Sequence, residues 1–452
     1  MARKAATVFS CTACGAQSPQ WLGRCPECAA WNTLVEERAA EAPRRGGAAA
    51  PPSLAPVRLS GVLAAAVPRI PTGIADIDRV LGGGLVPGSV VLVGGEPGIG
   101  KSTLLLQVAA RLSERLGSVL YVSAEESAQQ IKMRADRLSA SAPGLFLLPE
   151  TSLETILEAA KAGAFGAIVV DSIQTIASQD TPAAAGSVTQ VRACAGRLQV
   201  LAKTTGVPIF LIGHVTKDGT LAGPKALEHL VDAVLSFEGE RFHAHRVVRA
   251  LKNRFGPVHE LGLFEMTGAG LVEVANPSAL YLGNGAGTRP GSAVLAGVEG
   301  TRPLLLEVQA LTVEAKYGSP RRTAIGFDAT RLALLLAVLE RHGGMSLSSH
   351  DVFLNVAGGA ESAEPAADLA VCAAVAGSFR ARELPAGTVV FGEVGLLGEV
   401  RAVSDAALRL KEAVSLGFRS ALVPAGNAGE AAAFPDLSAI PLRSIEELLG
   451  KT

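Results

Sequence analysis

The sequence predicts an α/β protein built on a mostly parallel sheet, with a small metal-held module before it and a second mixed α/β domain after it. Three observations predict this. The run Gly95-Glu96-Pro97-Gly98-Ile99-Gly100-Lys101-Ser102-Thr103 stands between a short apolar strand, Ser89 to Gly94, and a helix from Leu104 to Leu116. A second apolar run, Ala167 to Val170, ends on Asp171, about 70 residues after Lys101. Four of the six cysteines lie in the first 28 residues as Cys11-x-x-Cys14 and Cys25-x-x-Cys28.

A chain of 452 residues exceeds one ordinary core, so several domains are expected. The boundaries read as a module over residues 1–35, a linker over 36–59, a nucleotide-binding domain over 60–275 and a last domain over 276–452. With 41 Lys+Arg against 42 Asp+Glu, the net charge of -1 neither points to a nucleic-acid partner nor excludes one. No run of ~18 apolar residues appears, which argues against a membrane span, and no signal-like segment precedes Cys11. The expected location is therefore the cytoplasm, where Cys194 and Cys372 are read as buried thiols.

In the module, two Cys-x-x-Cys pairs frame a ten-residue loop and can set four thiolates, Cys11, Cys14, Cys25 and Cys28, tetrahedrally around Zn2+. Iron is the chemical alternative. So short a segment cannot bury enough apolar surface unaided, so the metal would supply folding energy, with Trp21, Leu22, Trp31 and Leu34 as the expected core. Gripping nucleic acid, gripping protein and capping a domain all remain open as its purpose. The Glu-, Ala-, Pro- and Gly-rich stretch that follows has linker composition.

The phosphate loop fits Gly-x-x-x-x-Gly-Lys-Ser/Thr. Its glycines let backbone N–H groups wrap a phosphate chain at a helix N-terminus, Lys101 reaches the outer phosphates of ATP, and Ser102 or Thr103 offers a hydroxyl to Mg2+. The strand Val119 to Ser123 leads to Glu125 and Glu126 at the ligand edge. Glu125 is the expected activator of the attacking water and Glu126 the second choice, with two solvated glutamates as the plain alternative. Asp171, closing its strand, can hold the water shell of magnesium. A helix from Thr151 to Gly163 is expected to start at Ser152-x-x-Thr155, and His214, Thr216 and Lys217 follow the strand Pro208 to Gly213. Lys252-Asn253-Arg254-Phe255-Gly256 then sets two cations at a strand end. In ring-shaped ATPases such cations enter a neighbour's nucleotide site; contact with nucleic-acid phosphates is the rival use.

With these residues the chain resembles, over nearly its whole length, the RadA (Sms) family of bacterial DNA-repair proteins. The resemblance is carried by the four-cysteine knuckle, Leu81-Gly82-Gly83-Gly84, Tyr121-Val-Ser-Ala-Glu125-Glu126-Ser127 and the Lys252-to-Gly256 signature. It implies a RecA-like P-loop ATPase core, similar to the RecA/DnaB core, in a ring that is a homo-hexamer. It also implies a DNA-stimulated, helicase-type translocase that promotes branch migration in recombination. Single-stranded and branched DNA and a RecA-type recombinase are the implied partners. An ATP-binding DNA scaffold and a protein-remodelling ATPase are the alternatives. The resemblance assigns DNA-facing roles to the loops Thr175 to Gln190 and Lys217 to Lys225, with Arg192, Lys217 and Lys225 as phosphate contacts. Ala124 departs from the family's usual glycine.

The last domain resembles the Lon-protease fold, whose serine and lysine form a nucleophilic pair. Here the stretch Gly358 to Asp368 has alanine at the serine position, and Ala407 stands at that of the lysine, while Ser362 and Ser404 lie near but outside those places. The resemblance therefore implies a scaffold and no protease, with Lys316, Arg321, Arg322, Arg380 and Arg382 as candidates for a DNA-contacting face or as plain surface charge. Gly283 to Gly291 is expected to be an interdomain turn.

Overall fold

The computed structural model describes residues 7–11, 17–18, 20–27, 29–38, 68–214, 225–239, 245–258, 260–283, 286–316 and 319–452. The chain divides into two compact units, Met1–Val274 and Ala275–Thr452.

The N-terminal module is a three-stranded antiparallel sheet of β1 (Thr7–Cys11), β2 (Gln17–Ser18) and β3 (Leu34–Arg38), with β1 in the middle. Its small core is Cys11, Cys25 and Leu34, with Phe9 and Leu22 against it. The two tryptophans correct the expectation: Trp21 is 55% and Trp31 69% exposed. So few residues cannot enclose an indole, and Trp31 instead lies on the surface under the Arg24 guanidinium, 5.8 Å from its ring.

The main sheet of the first unit begins after α1 (Ala75–Val80) with β4 (Val90–Gly95), α2 (Lys101–Leu116), β5 (Val119–Ser123), α3 (Ala128–Arg137) and β6 (Leu145–Pro149). It continues through α4 (Leu153–Ala162), β7 (Ala167–Asp171), α5 (Val188–Thr205), β8 (Ile209–His214), α6 (Lys225–Glu228) and β9 (Ala233–Glu238). The strands β10 (His245–Asn253), β11 (Leu261–Thr267) and β12 (Gly270–Glu273) complete it. The order is β12-β11-β10-β9-β4-β8-β7-β5-β6, parallel from β9 to β6 and antiparallel from β9 to β12.

Continuous apolar strands follow from cover on both faces. Val91, Val93, Tyr121, Val169, Phe210 and Ile212 point to the α2 side, while Val90, Leu92, Leu120, Val122, Ile168 and Val170 point to the α4 and α5 side. Each such fully buried side chain contributes about 1.5–3 kcal/mol. The start of α4 differs from the sequence expectation. Ser152 makes no side-chain cap: its hydroxyl donates instead to Glu154 Oε2 at 3.4 Å, and the neighbouring Glu150 carboxylate takes the Thr151 and Ser152 N–H groups at 2.7 and 2.8 Å.

The second unit contains α7 (Pro277–Tyr281), the hairpin β13 (Ser292–Glu299) and β14 (Arg302–Glu314), then β15 (Arg322–Ile325), α8 (Ala329–Gly343), β16 (His350–Val356) and α9 (Asp368–Arg380). After these come β17 (Thr388–Val390), β18 (Glu393–Val394), β19 (Val400–Arg401), α10 (Ala406–Ser415), β20 (Ser420–Pro424), α11 (Ala428–Ala431), β21 (Ser438–Leu442) and α12 (Ile445–Leu449). Seven strands form one mixed sheet, β15-β16-β14-β13-β17-β20-β21. Helix α9 is buried from Asp368 to Gly377, which is why its sequence is small or apolar on every side after Asp368.

One expectation changes here. Gly283 to Gly291 lies inside the second unit rather than between units. Between β17 and β18, Gly392 leaves the sheet to bond Ala366 and Leu369 at 2.8 and 3.0 Å, and a Cβ there would sit 3.0 Å from Pro424.

Candidate nucleotide site

Four neighbouring strands, β4, β8, β7 and β5, end on one edge of the main sheet, and their register sets Gly95 beside His214 and Ser123 beside Asp171. The phosphate loop leaves this edge between β4 and α2. Gly95 has no room for a side chain, since a Cβ would lie 2.6 Å from the Phe237 carbonyl. Gly100 turns at φ 118°, with 2.7 Å between an added Cβ and Met266. Gly98 opens onto free space, and Glu96 and Pro97 are exposed, whereas Ile99 is a buried anchor whose carbonyl accepts from Arg246 Nε at 3.1 Å. Ser102 and Thr103 are half-buried in the first turn of α2.

Lys101 is 4% exposed, and its Nζ donates to the carbonyls of Gly95 and Glu96 at 2.8 and 2.9 Å. Burial pushes its amine down to about 8, against the opposing pull of Asp171 and Glu125. Asp171 is itself buried and accepts from the Tyr121 hydroxyl at 2.7 Å. Desolvation, then the charge of Asp171, raises that phenol well above its ordinary value. Glu125 is exposed, and its Oε1 accepts from the buried Ser172 hydroxyl at 2.5 Å. Glu126 turns the other way into an ion pair with Arg134 at 2.5 Å. The structure thus gathers the phosphate loop, Lys101, Asp171 and Glu125 at one place. His214 ends β8 on the same edge; its side chain lies outside the described residues.

Lys252 and Arg254 are not there. Asn253 pairs with Ala233, and Ala233 with Val91, so these cations sit at the amino end of β4. At ~3.3 Å per residue, the four steps from Val91 to Gly95 put about 13 Å along β4 between that level and the start of the phosphate loop of the same chain. Arg254 donates to Asp232 at 3.1 Å, and Asp232 in turn accepts the Val90 N–H at 3.0 Å. Lys252 donates to the Glu228 and Val231 carbonyls; burial and then the charge of Arg254 lower its amine.

The loop after β7 is held from within. Glu154 accepts from Ser178 at 2.7 Å and from Arg197 at 2.6 Å, and Arg197 also meets Asp180 at 3.1 Å. Burial works against the charged Glu154, but the hydroxyl, guanidinium and backbone donors outweigh it and hold the carboxyl at about 2. Gln190, which closes the stretch that the resemblance turns toward DNA, is a buried residue of α5 whose amide donates to Ser178, Thr181 and Ala183 at 2.9 to 3.1 Å. Arg192 is exposed on α5. Lys217, the rest of its loop and the side chain of Lys225 lie outside the described residues.

Of the cysteine set, Cys11 and Cys25 are buried in the module's core, and Cys14 and Cys28 lie outside the described residues. The donor chemistry fits a thiolate metal site: two thiols face one core that has Leu34 as its only other buried residue among those described, and the turn after Cys25 is closed by its bonds with Ala29 and Ala30 at 2.9 Å.

In the second unit, Ala366 is buried just before α9 and Ala407 is exposed on α10. The nearby charges serve structure: Arg409, 3% exposed, meets Glu364 at 2.6 Å and the Ala296 carbonyl at 2.8 Å, and Arg331 pairs with buried Asp368. Arg322 and Arg380 are spoken for as well, by the Leu347 and Leu449 carbonyls at 2.8 and 2.6 Å. Arg382 and Lys316 are exposed, as is Arg321, which lies 3.8 Å from Asp351.

Fold and site together define a P-loop ATPase of the RecA type carrying an N-terminal metal knuckle. A family model described as an AAA domain matches residues 58–220, and a zinc-ribbon model described as a rubredoxin metal binding domain matches residues 9–36. The chain is 51% identical over 449 residues to the DNA repair protein RadA of Pseudomonas aeruginosa, covering 99% of this chain and 98% of that one. It is 50% identical to the DNA repair protein RadA of Bacillus subtilis, over 94% of this chain and 93% of that one, and 48% identical to that of Escherichia coli, over 94% of each. The chain belongs to the RadA family of bacterial DNA-repair proteins. It is an ATP-dependent DNA-repair ATPase with a zinc-binding module, and none of its described helices is long and apolar enough to cross a membrane.

Proposed function

We propose that the chain works as a DNA-stimulated motor in recombinational repair, driving branch migration on single-stranded and branched DNA as a homo-hexameric ring beside a RecA-type recombinase. The observation that carries this reading is the placement of its charges on opposite edges of one sheet. The phosphate loop, Asp171 and Glu125 occupy the carboxyl edge, whereas Lys252 and Arg254 occupy the amino edge. A protomer of this shape holds a nucleotide but cannot bring its own cations to it; a neighbour in a ring can.

In that arrangement Lys101 leaves the Gly95 and Glu96 carbonyls for the outer phosphates, and the open side of Gly98 admits the phosphate chain. Asp171, with Ser102 or Thr103, would hold the shell of Mg2+, which supplies charge neutralisation between the phosphates. Glu125, fixed by Ser172, accepts a proton from the attacking water. Lys252 and Arg254 of a neighbour offset charge developing on the transferred group. The second unit, similar to the Lon-protease fold but with alanines at both dyad positions, serves as scaffold. The zinc knuckle, through Cys11, Cys14, Cys25 and Cys28, holds the N-terminal module.

ATP turnover with and without single-stranded DNA tests the reading. Wild type should be stimulated, and both Lys101→Ala and Lys252→Ala should lose that stimulation. Stimulation by unfolded protein in place of DNA would favour a remodelling ATPase, and nucleotide binding without turnover would favour a scaffold.

A further inference from the structure

Arg69 lies outside the Leu81-to-Gly84 turn and the Lys252-to-Gly256 signature, yet it joins the two. Its guanidinium donates to the Leu81 carbonyl at 3.0 Å and the Gly84 carbonyl at 3.3 Å, and its other nitrogen donates to the Phe255 carbonyl. One planar fork therefore ties the Leu81-to-Gly84 turn to the loop that carries Lys252 and Arg254. The two segments also touch directly. A Cβ on Gly82 would lie 3.1 Å from Gly256 Cα, and one on Gly256 would lie 3.0 Å from Gly82 Cα. Asn253 completes the joint, donating to the Val80 carbonyl at 3.3 Å and accepting the Phe255 N–H at 2.9 Å. The turn is rooted in its own domain, since Ile70 and Leu85 exchange backbone bonds of 2.8 Å in each direction.

We infer that Arg69 is a positioning residue for catalysis at the neighbouring subunit. By clamping the glycine turn onto the Lys252-to-Gly256 loop, it fixes the height and direction at which the two cations leave the amino edge of the sheet. This rests on the reading that those cations act across a subunit boundary. Arg69 does not reach its own chain's phosphate loop, which is on the carboxyl edge, and its guanidinium is engaged by the Leu81, Gly84 and Phe255 carbonyls. Its loss should spare ATP binding at the subunit that carries it and damage turnover at the next.

The test is complementation in mixed rings of the full-length protein. Arg69→Ala alone should lower DNA-stimulated kcat by about tenfold or more while KM for ATP stays within about twofold. Lys101→Ala alone is inactive because its phosphate site is broken, but its cations are intact. An interface with an Arg69→Ala phosphate site and a Lys101→Ala neighbour has all its parts. Random 1:1 rings contain such interfaces at about one in four, so mixing should raise turnover well above the sum of the separate proteins, toward about a quarter of wild type.

Arg69→Lys, which keeps the charge and loses the fork, is run beside it so that poor folding of Arg69→Ala does not decide the outcome. A Lys252→Ala/Arg254→Ala protein mixed with Lys101→Ala is the control. Complementation by both the control and the Arg69 variants supports the inference. Complementation by the control alone, or wild-type turnover by both Arg69 variants, overturns it. Failure of the control itself overturns the cross-boundary reading and the role of Arg69 with it.

Discussion

Burial alone pushes the Lys101 amine down from 10.5 to about 8, and the neighbouring carboxylates do not restore it. The lysine's folded-state pKa is thus below its unfolded value, so its protonated form weakens the fold below pH 8 and the penalty fades as pH rises toward 10.5. Without nucleotide, wild type should gain about 2 kcal/mol relative to Lys101→Met between those limits, read from denaturant melts of the two proteins at each pH. Ser172 offers a second test at this scale. Its hydroxyl is the buried donor to Glu125, so Ser172→Ala should leave KM for ATP unchanged and lower kcat by about tenfold in steady-state assays. Lys101 was legible in the sequence, because phosphate chemistry demands glycines, lysine and hydroxyl at fixed spacing along one loop. Ser172, Tyr121 and Arg69 were not. Their partners lie 47, 50 and 186 positions away, and nothing local in a serine, a strand tyrosine or an arginine announces such a contact.

Among the elements, the strands and helices of the main sheet were readable because cover on both faces makes each strand a continuous apolar run, and α9 was readable through its small residues. The three-residue β17 and its exit at Gly392 were not, since a glycine's departure from a sheet depends on what packs above it. The loop after β7 was legible as a polar segment, but not its anchorage through Glu154, Arg197 and Gln190. That anchorage has a pH signature. Glu154 is held at about 2, below its ordinary 4.5, so its contribution is complete above pH 4.5 and is lost as pH falls toward 2. Amide exchange over residues 177–184 should therefore speed up on acidification through that window, and Glu154→Gln should show the faster exchange already at neutral pH. The N-terminal module makes a parallel case for metal. Both of the chain's tryptophans lie in it and both are exposed, so tryptophan anisotropy reports on this element alone. Chelation or Cys25→Ser should lower that anisotropy as the module loosens, while circular-dichroism melting of the sheet-bearing remainder stays unchanged.

At the scale of the whole molecule, the proposed completion of the nucleotide site by a neighbour's Lys252 and Arg254 would make assembly part of the chemistry. In isolation a chain keeps Arg254 on Asp232 and Lys252 on the Glu228 and Val231 carbonyls, contacts that are satisfied without any nucleotide. In the proposed ring, reaching a neighbour's phosphates requires those cations to be presented outward, on a loop held against the close approach of Gly82 to Gly256. A site completed by another copy has a concentration dependence that a self-sufficient site lacks. Turnover per chain in saturating single-stranded DNA and ATP should therefore be constant while rings persist and should fall in proportion to concentration once they dissociate. ATP binding should fall much less, because Lys101 and the phosphate loop belong to one chain. Measuring both on one dilution series, with sizing at each point, decides the matter: turnover per chain that stays level after the protein has become a single chain would mean that the cations act within the protomer after all, or not at all.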